Sequence, residues 1–304
     1  FAVAIRGQGG GPVPASSIPA HGVLGSRVPV LIGHFGEAAE ITFCFTTRAA
    51  EDWQRSVYWQ NLRSMRITED FETYRARLAA MSGNAAMAQG KPFFIACGFI
   101  KPHLPFYAPK KYWDLYDPAD LELADNRTLP RHAPSSLKGS GEVHNYHDRG
   151  MKYNSDEWHR ACLHGYYACV SYVDAQVGRL MKTLDQLKLR KDTIVILWGD
   201  HGWHLGEHNF WGKHNVMHLS TRSPLIVSAH GFKPGQTCDR LVEFVDVYPT
   251  LMELAGLKTE NDGLQGTSFK PLLEKPGLVW KKAAFSKYGP AVSLVTNRYN
   301  YAEF

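Results

Sequence analysis

The residues best suited to chemistry in this chain fall into two short clusters. The first is Gly199-Asp200-His201-Gly202, a carboxylate beside an imidazole with a glycine on either side. Such a pair can bind a divalent metal, although two ligands alone do not define a site, and a hard cation such as Ca²⁺ takes about six to eight oxygens. An Asp-His turn can equally be a cap with a surface histidine. His204, His208, Lys213 and His214 follow closely. Lys213 can neutralise an oxygen of a sulfate or phosphate as a point charge, or lie solvated; a zinc site built from these histidines is conceivable, but the spacing matches no standard zinc pattern. The second cluster is Lys101-Pro102-His103-Leu104-Pro105. Its prolines restrict the backbone around His103, which suits a preorganised hydrogen-bond or proton donor, and also a rigid loop with an incidental histidine.

Both clusters need elements to hold them. Each follows a short run that is apolar on both faces, Pro92 to Phe99 and Thr193 to Trp198, and Pro224 to Ser228 is a third such run. These read as strands of a parallel sheet covered on both sides, and ligands collect beyond the carboxyl ends of such strands, so the clusters project from the same edge. Helices are predicted from Thr68 through a stripe of Phe71, Tyr74, Leu78 and Met81, and from Asp156 to about Leu187 along Cys162, Tyr166, Cys169, Val173, Val177, Leu180, Leu184 and Leu187. Another follows Asp246, with Pro249 tolerated in its first turn and Gly256 stopping it. Strand and helix in alternation imply an α/β fold with right-handed crossovers. Residues 107–155 read as a long surface excursion with a short helix near Lys110 to Tyr116, a kind of loop that often shapes a cleft. From Lys281 onward, Ala283 to Ser286 and Val292 to Tyr301 suggest an antiparallel meander. Three regions result: 1–66 without an assigned pattern, 67–275 as an α/β domain, and 276–304 as the start of an antiparallel subdomain.

Composition sets the outer bounds. With 44% hydrophobic and 21% charged residues over 304 positions, the chain can bury a sizeable core. Its net charge of +5 suits an anionic substrate, yet no dense basic run points to nucleic acid. The five cysteines include no CxxC pair and read as buried or free thiols. No apolar stretch reaches the ~20 residues that a membrane span needs, and the chain opens at Phe1 without a visible signal peptide.

Several motifs in order carry a family resemblance: Gly98 to Phe106 around Lys101-Pro102-His103, Ser171 to Arg179, Gly199 to His208, Gly212-Lys213, and Leu264 to Ser268. Over residues 67–304 the chain resembles the sulfatase family, most of all its iduronate 2-sulfatase-like members. The resemblance implies an alkaline-phosphatase-like fold, a mostly parallel sheet flanked by helices with a small antiparallel C-terminal subdomain. It also implies a bound Ca²⁺ and hydrolysis of sulfate esters on sugars, in a periplasmic, secreted or lysosomal setting. By position, Asp200 and His201 would be metal ligands, His103 and Lys213 would contact the sulfate and take part in catalysis, and Lys101 belongs to the same substrate-binding motif. Such sulfatases also carry an Asp-Asp pair and a Cys-x-Pro-x-Arg motif whose cysteine becomes formylglycine, the nucleophile. Neither occurs here. In Cys44-Phe45-Thr46-Thr47-Arg48 the proline is replaced by Thr46, and Ser17-Ile18-Pro19-Ala20-His21 has no arginine. The chain is therefore expected to be an incomplete catalytic domain. Two other readings compete: a metal-dependent phosphatase or phosphodiesterase of the same superfamily, and a non-catalytic fragment that binds sulfated glycans.

Overall fold

The structure is a computed structural model that describes residues 2–6, 40–45, 93–146, 150–257 and 263–304. The predicted helix from Thr68 to Met81 and the segments Ser17 to His21 and Thr46 to Arg48 lie outside the described residues. Five strands make the main sheet: β1 (Ala2–Arg6), β2 (Glu40–Phe45), β3 (Phe93–Gly98), β4 (Thr193–Trp198) and β7 (Leu225–Ser228), in the order β2-β3-β1-β4-β7. β2 runs parallel to β3, with Glu40 opposite Phe93 and Phe45 opposite Gly98. β1 is antiparallel to both of its neighbours, so β3 and β4 point the same way across it. Residues 1–66, which carry no predicted element, thus contribute two strands. Ala2–Arg6 is too short to establish a period, whereas Ile41, Phe43 and Phe45 do alternate with Glu40, Thr42 and Cys44.

The described residues divide by contact into two units. One comprises those within Phe1–Phe99, Met181–Leu197 and Val227–His230 and contains most of this sheet. The other comprises those within Ile100–Leu180, Trp198–Ile226 and Gly231–Phe304. The excursion after β3 carries the short helix α1 (Lys110–Trp113), and the long helix α2 (Asp156–Gln186) follows it. The stripe that α2 buries most deeply is Trp158, His159, Leu163, Ala168, Cys169, Tyr172, Gln176 and Leu184. It includes the polar Gln176 but only Cys169 and Leu184 of the predicted stripe; Cys162, Tyr166, Val173, Val177 and Leu180 are half-buried, and Leu187 is 44% exposed beyond the last helical residue. Gly165 lets the excursion approach the helix: a Cβ there would stand 2.7 Å from Phe106 Cβ and 2.9 Å from the Trp113 ring. His164 Nε2 then donates to Trp113 O at 2.7 Å, and Arg160 donates to Leu121 O at 2.6 Å. These contacts pin the loop that carries Lys101 and His103 against α2.

A two-stranded hairpin, β5 (His204–Leu205) and β6 (Trp211–Gly212), leads into Lys213, and a one-turn helix α3 (His218–Thr221) follows. α4 (Val247–Leu254) continues a 3₁₀ turn, Phe244–Asp246, that carries a capping box between Glu243 and Asp246, and Gly256 at φ +70° comes just after its end. α5 (Lys270–Glu274) precedes the predicted meander, which forms as β8 (Ala284–Tyr288), β9 (Ala291–Val295) and β10 (Asn300–Glu303), all antiparallel. Lys281 anchors this segment: its ammonium lies 2.7 Å from Glu243 Oε2 and 2.7 Å from Oδ1 of the fully buried Asp246. Burial alone would depress the Lys281 pKa, but hydrogen bonds and charge from Asp246 and Glu243 outweigh it and raise the pKa.

Candidate functional site

Leu104 fastens the Lys101 to Pro105 loop by inserting into an apolar cluster with Leu121, Val143, Trp158, Leu163 and Trp211. The Lys101 ammonium turns back onto its own loop, donating to His103 O at 3.0 Å and to Pro105 O. His103 Nδ1 lies 2.8 Å from Leu104 O. A carbonyl can only accept, so Nδ1 carries a proton and Nε2 faces outward from the loop.

His103 Nε2 meets Lys213 Nζ at 2.9 Å. The β5–β6 hairpin makes the meeting possible, since Gly212 has φ +127° and a Cβ there would come within 2.6 Å of Ser140 Cβ. A third group completes the cluster. Glu142 spans the pair with both oxygens, Oε2 at 2.7 Å from Lys213 Nζ and Oε1 at 3.1 Å from His103 Nε2. Burial pushes the Glu142 carboxyl up, but Lys213, His103 and His214 together pull it below the usual range. The sequence gives no sign of Glu142, which sits in the irregular excursion on a single 3₁₀ turn, Glu142–Asn145.

Trp203 gathers the predicted residues. Lys213 Nζ sits 5.1 Å from the centroid of its ring, and the His103 and His201 rings lie at 6.2 and 6.1 Å. An ammonium over an indole face is held by the ring quadrupole, which helps to fix Lys213 with its side chain only 15% exposed. Lys213 is therefore not a solvated surface lysine.

Asp200 and His201 sit in a turn closed by Gly202, where a Cβ would meet Leu219 O at 1.9 Å and Arg222 O at 2.2 Å. His201 Nδ1 donates to Gly202 O at 2.7 Å, and its Nε2 lies 3.7 Å from Asp200 Oδ2. The two side chains are adjacent, but among the described residues no group of three or more His, Cys, Asp or Glu converges to hold a metal. One carboxylate and one imidazole fall well short of the oxygen-rich shell that Ca²⁺ takes. The donor set described does not fit a complete cation site.

The remaining histidines scatter. His204 is fully buried with Nε2 3.4 Å from Asn215 Oδ1, and burial lowers its pKa. His208 Nδ1 donates to Thr128 O at 3.0 Å, and His214 Nδ1 pairs with Ser140 Oγ at 2.6 Å. Burial likewise lowers the His214 pKa, with the nearby Lys213 charge adding to the effect.

A sequence model of the sulfatase family matches residues 42–257, starting earlier than the residue 67 at which the motifs begin the likeness. The chain belongs to the sulfatase family. It is 36% identical over 173 residues to a sulfatase of Formosa agariphila, covering 55% of this chain and 33% of that protein. It is 32% identical over 200 residues to human iduronate 2-sulfatase, covering 55% of this chain and 36% of the relative. Among solved structures, the phosphonate monoester hydrolase of Agrobacterium radiobacter superposes with a TM-score of 0.60 at 25% identity, over 77% of this chain and 52% of that one. The fold of this sulfatase-family chain is alkaline-phosphatase-like. The chain spans about a third of the length of the curated relatives it matches.

Proposed function

We propose that this chain carries the sulfate-holding side of a sulfuric-ester hydrolase that acts on sulfated carbohydrates. The contact between Lys213 Nζ and His103 Nε2, across 110 residues of sequence, is the observation that carries the reading. Relatives named as iduronate 2-sulfatase and N-acetylglucosamine-6-O-sulfatase support the substrate class. Lys213 supplies a fixed positive charge for the sulfate oxygens. His103, when doubly protonated, donates its Nε2 proton to the bridging oxygen as a nucleophile takes the sulfur and the S–O bond breaks; with water as the final acceptor, the ester gives a neutral alcohol and sulfate. Lys101 acts through the loop, holding its carbonyls so that the His103 ring keeps its direction. Asp200 and His201 are proposed as two ligands of a divalent cation, Ca²⁺ by resemblance; since the described residues supply only that pair, no step is assigned to the ion. None is assigned to formylglycine either, whose motif this sequence lacks.

The test is calorimetric titration of the chain with methyl sulfate and with methyl phosphate, at fixed ionic strength. Lys213→Ala is expected to weaken methyl sulfate binding by roughly tenfold or more, as loss of a charged hydrogen bond requires. Equal binding by wild type and variant would refute the assignment. Preference for methyl phosphate, with phosphatase activity and stoichiometric zinc, would favour the phosphatase reading instead.

A further inference from the structure

The C-terminal hairpin brings an aromatic ring to the edge of this site. In β8 the side chains alternate, with Ala284 and Ser286 partly covered and Phe285 and Lys287 exposed. Tyr288 has the parity of the covered set but sits at the hairpin tip, opposite Ala291 and just before Gly289 at φ +57°. There its ring packs on His214, centroids 5.5 Å apart at 40°, and remains 47% exposed. His214 directly follows Lys213 and is held by Ser140, which also accepts from the Glu142 N–H at 3.1 Å. Asn300 of β10 adds a second tie, donating to Val216 O at 3.4 Å. The ring thus packs on the residue that follows the lysine assigned to the sulfate, with much of its surface open to solvent.

We propose that Tyr288 is the platform on which the sugar ring of a sulfated carbohydrate stacks while its sulfate reaches Lys213. This rests on the sulfate-holding role proposed for Lys213. The C–H face of a pyranose is apolar and flat, and on an aromatic ring it loses water while the equatorial hydroxyls stay wet. Such a contact gives the site affinity for the sugar that is independent of the charge. A sulfated sugar should therefore feel Tyr288, and a sulfate ester without a ring should not.

The experiment titrates the chain with methyl sulfate, with glucosamine 6-sulfate and with a disaccharide bearing a 2-O-sulfated uronic acid. Tyr288→Ala is expected to weaken at least one sulfated sugar by about five- to tenfold and Tyr288→Phe to stay within about twofold of wild type. Methyl sulfate binding should be unchanged in both. Phe285→Ala, on the outward face of the same strand and 61% exposed, controls for disturbance of the hairpin and should bind like wild type. Sugar binding unaffected by Tyr288→Ala would overturn the platform. So would an equal loss of methyl sulfate, which would make the ring a mere support for Lys213. Methyl sulfate binding with neither sugar bound would remove the platform alone, whereas wild type that fails to bind methyl sulfate removes the reading of Lys213 beneath it.

Discussion

Glu142 engages, with its two oxygens, the Lys213 and His103 groups proposed to hold a sulfate ester, and if that proposal holds, replacing it by glutamine should tighten sulfate binding. Oε2 is 2.7 Å from Lys213 Nζ and Oε1 is 3.1 Å from His103 Nε2, with the Glu142 side chain 20% exposed. Unit charges that close attract by about 6 kcal/mol at an effective dielectric near 20. Water at the partly open site and the neutral hydrogen bond that glutamine still accepts reduce the difference to roughly 1.5–3 kcal/mol, a typical net value for a charged hydrogen bond. An incoming sulfate must displace that contact, so Glu142→Gln should raise affinity for methyl sulfate by about 10- to 100-fold. Calorimetry in a buffer free of sulfate and phosphate reads this directly. The pH dependence gives a second check. The Glu142 carboxyl lies below its ordinary range, so its pairing stabilises the fold above the unfolded glutamate value and is lost as pH falls through the lower folded value. Sulfate affinity of the wild type should rise over that same acid interval through loss of the competitor, and Glu142→Gln should lack this increment. If the variant bound sulfate more weakly, Glu142 would be holding Lys213 in place and the competition argument would fail.

Other consequences are testable by denaturant unfolding. Lys281→Met leaves the fully buried Asp246, among the described residues, with the two backbone donors Glu243 and Thr267, and should cost about 3 kcal/mol, the lower end for breaking a buried pair. Because the Lys281 pKa is raised, its contribution is fully present below the unfolded lysine value and disappears only as pH climbs through the higher folded value; loss of stability near neutrality would contradict the pairing. Gly202→Ala drives a methyl into the carbonyls of Leu219 and Arg222, backbone atoms that cannot rotate away, and should destabilise by about 3 kcal/mol or more. His159→Leu removes the acceptor, at 3.0 Å, of the buried Trp211 Nε1–H and should cost about 1–3 kcal/mol. Burial chiefly holds the His159 pKa low, so the wild type loses stability as pH falls from the ordinary histidine value towards the folded one, and the variant should show a smaller loss.

Elements read well from the sequence where one signal sufficed. The runs ending at Gly98 and Trp198 are strands because continuous apolar residues admit little else when so short, and Gly256 marks the end of α4 because it takes a positive φ. The predicted α2 stripe shares only Cys169 and Leu184 with the deeply buried residues, because the period locates an apolar face but not which of its residues lie deepest, and a glutamine that bonds Tyr172 O inside the helix reads like a surface one. The burial of His204 and His159 is hidden for a related reason: their ring nitrogens meet Asn215, Asn154 and Trp211, contacts that an apolar period does not register.

The candidate site shows that limit most clearly. Lys213 read alone is as good a surface lysine as any, and its nearest partners lie 71 and 110 residues away. What makes it a candidate for holding an anion is the company of Trp203, His103 and Glu142, and each arrives by a different route: a hairpin, a proline-bounded loop, and one turn of an irregular excursion. Two of these routes carry motif residues and were visible. The third does not, and among the described residues it is Glu142 that brings a negative charge into contact with the Lys213–His103 pair. In the Lys213–Glu142 pair the two charges cancel. Attraction for a sulfate ester then depends on how readily Glu142 yields Lys213, a property of the loop that no count of basic residues could anticipate.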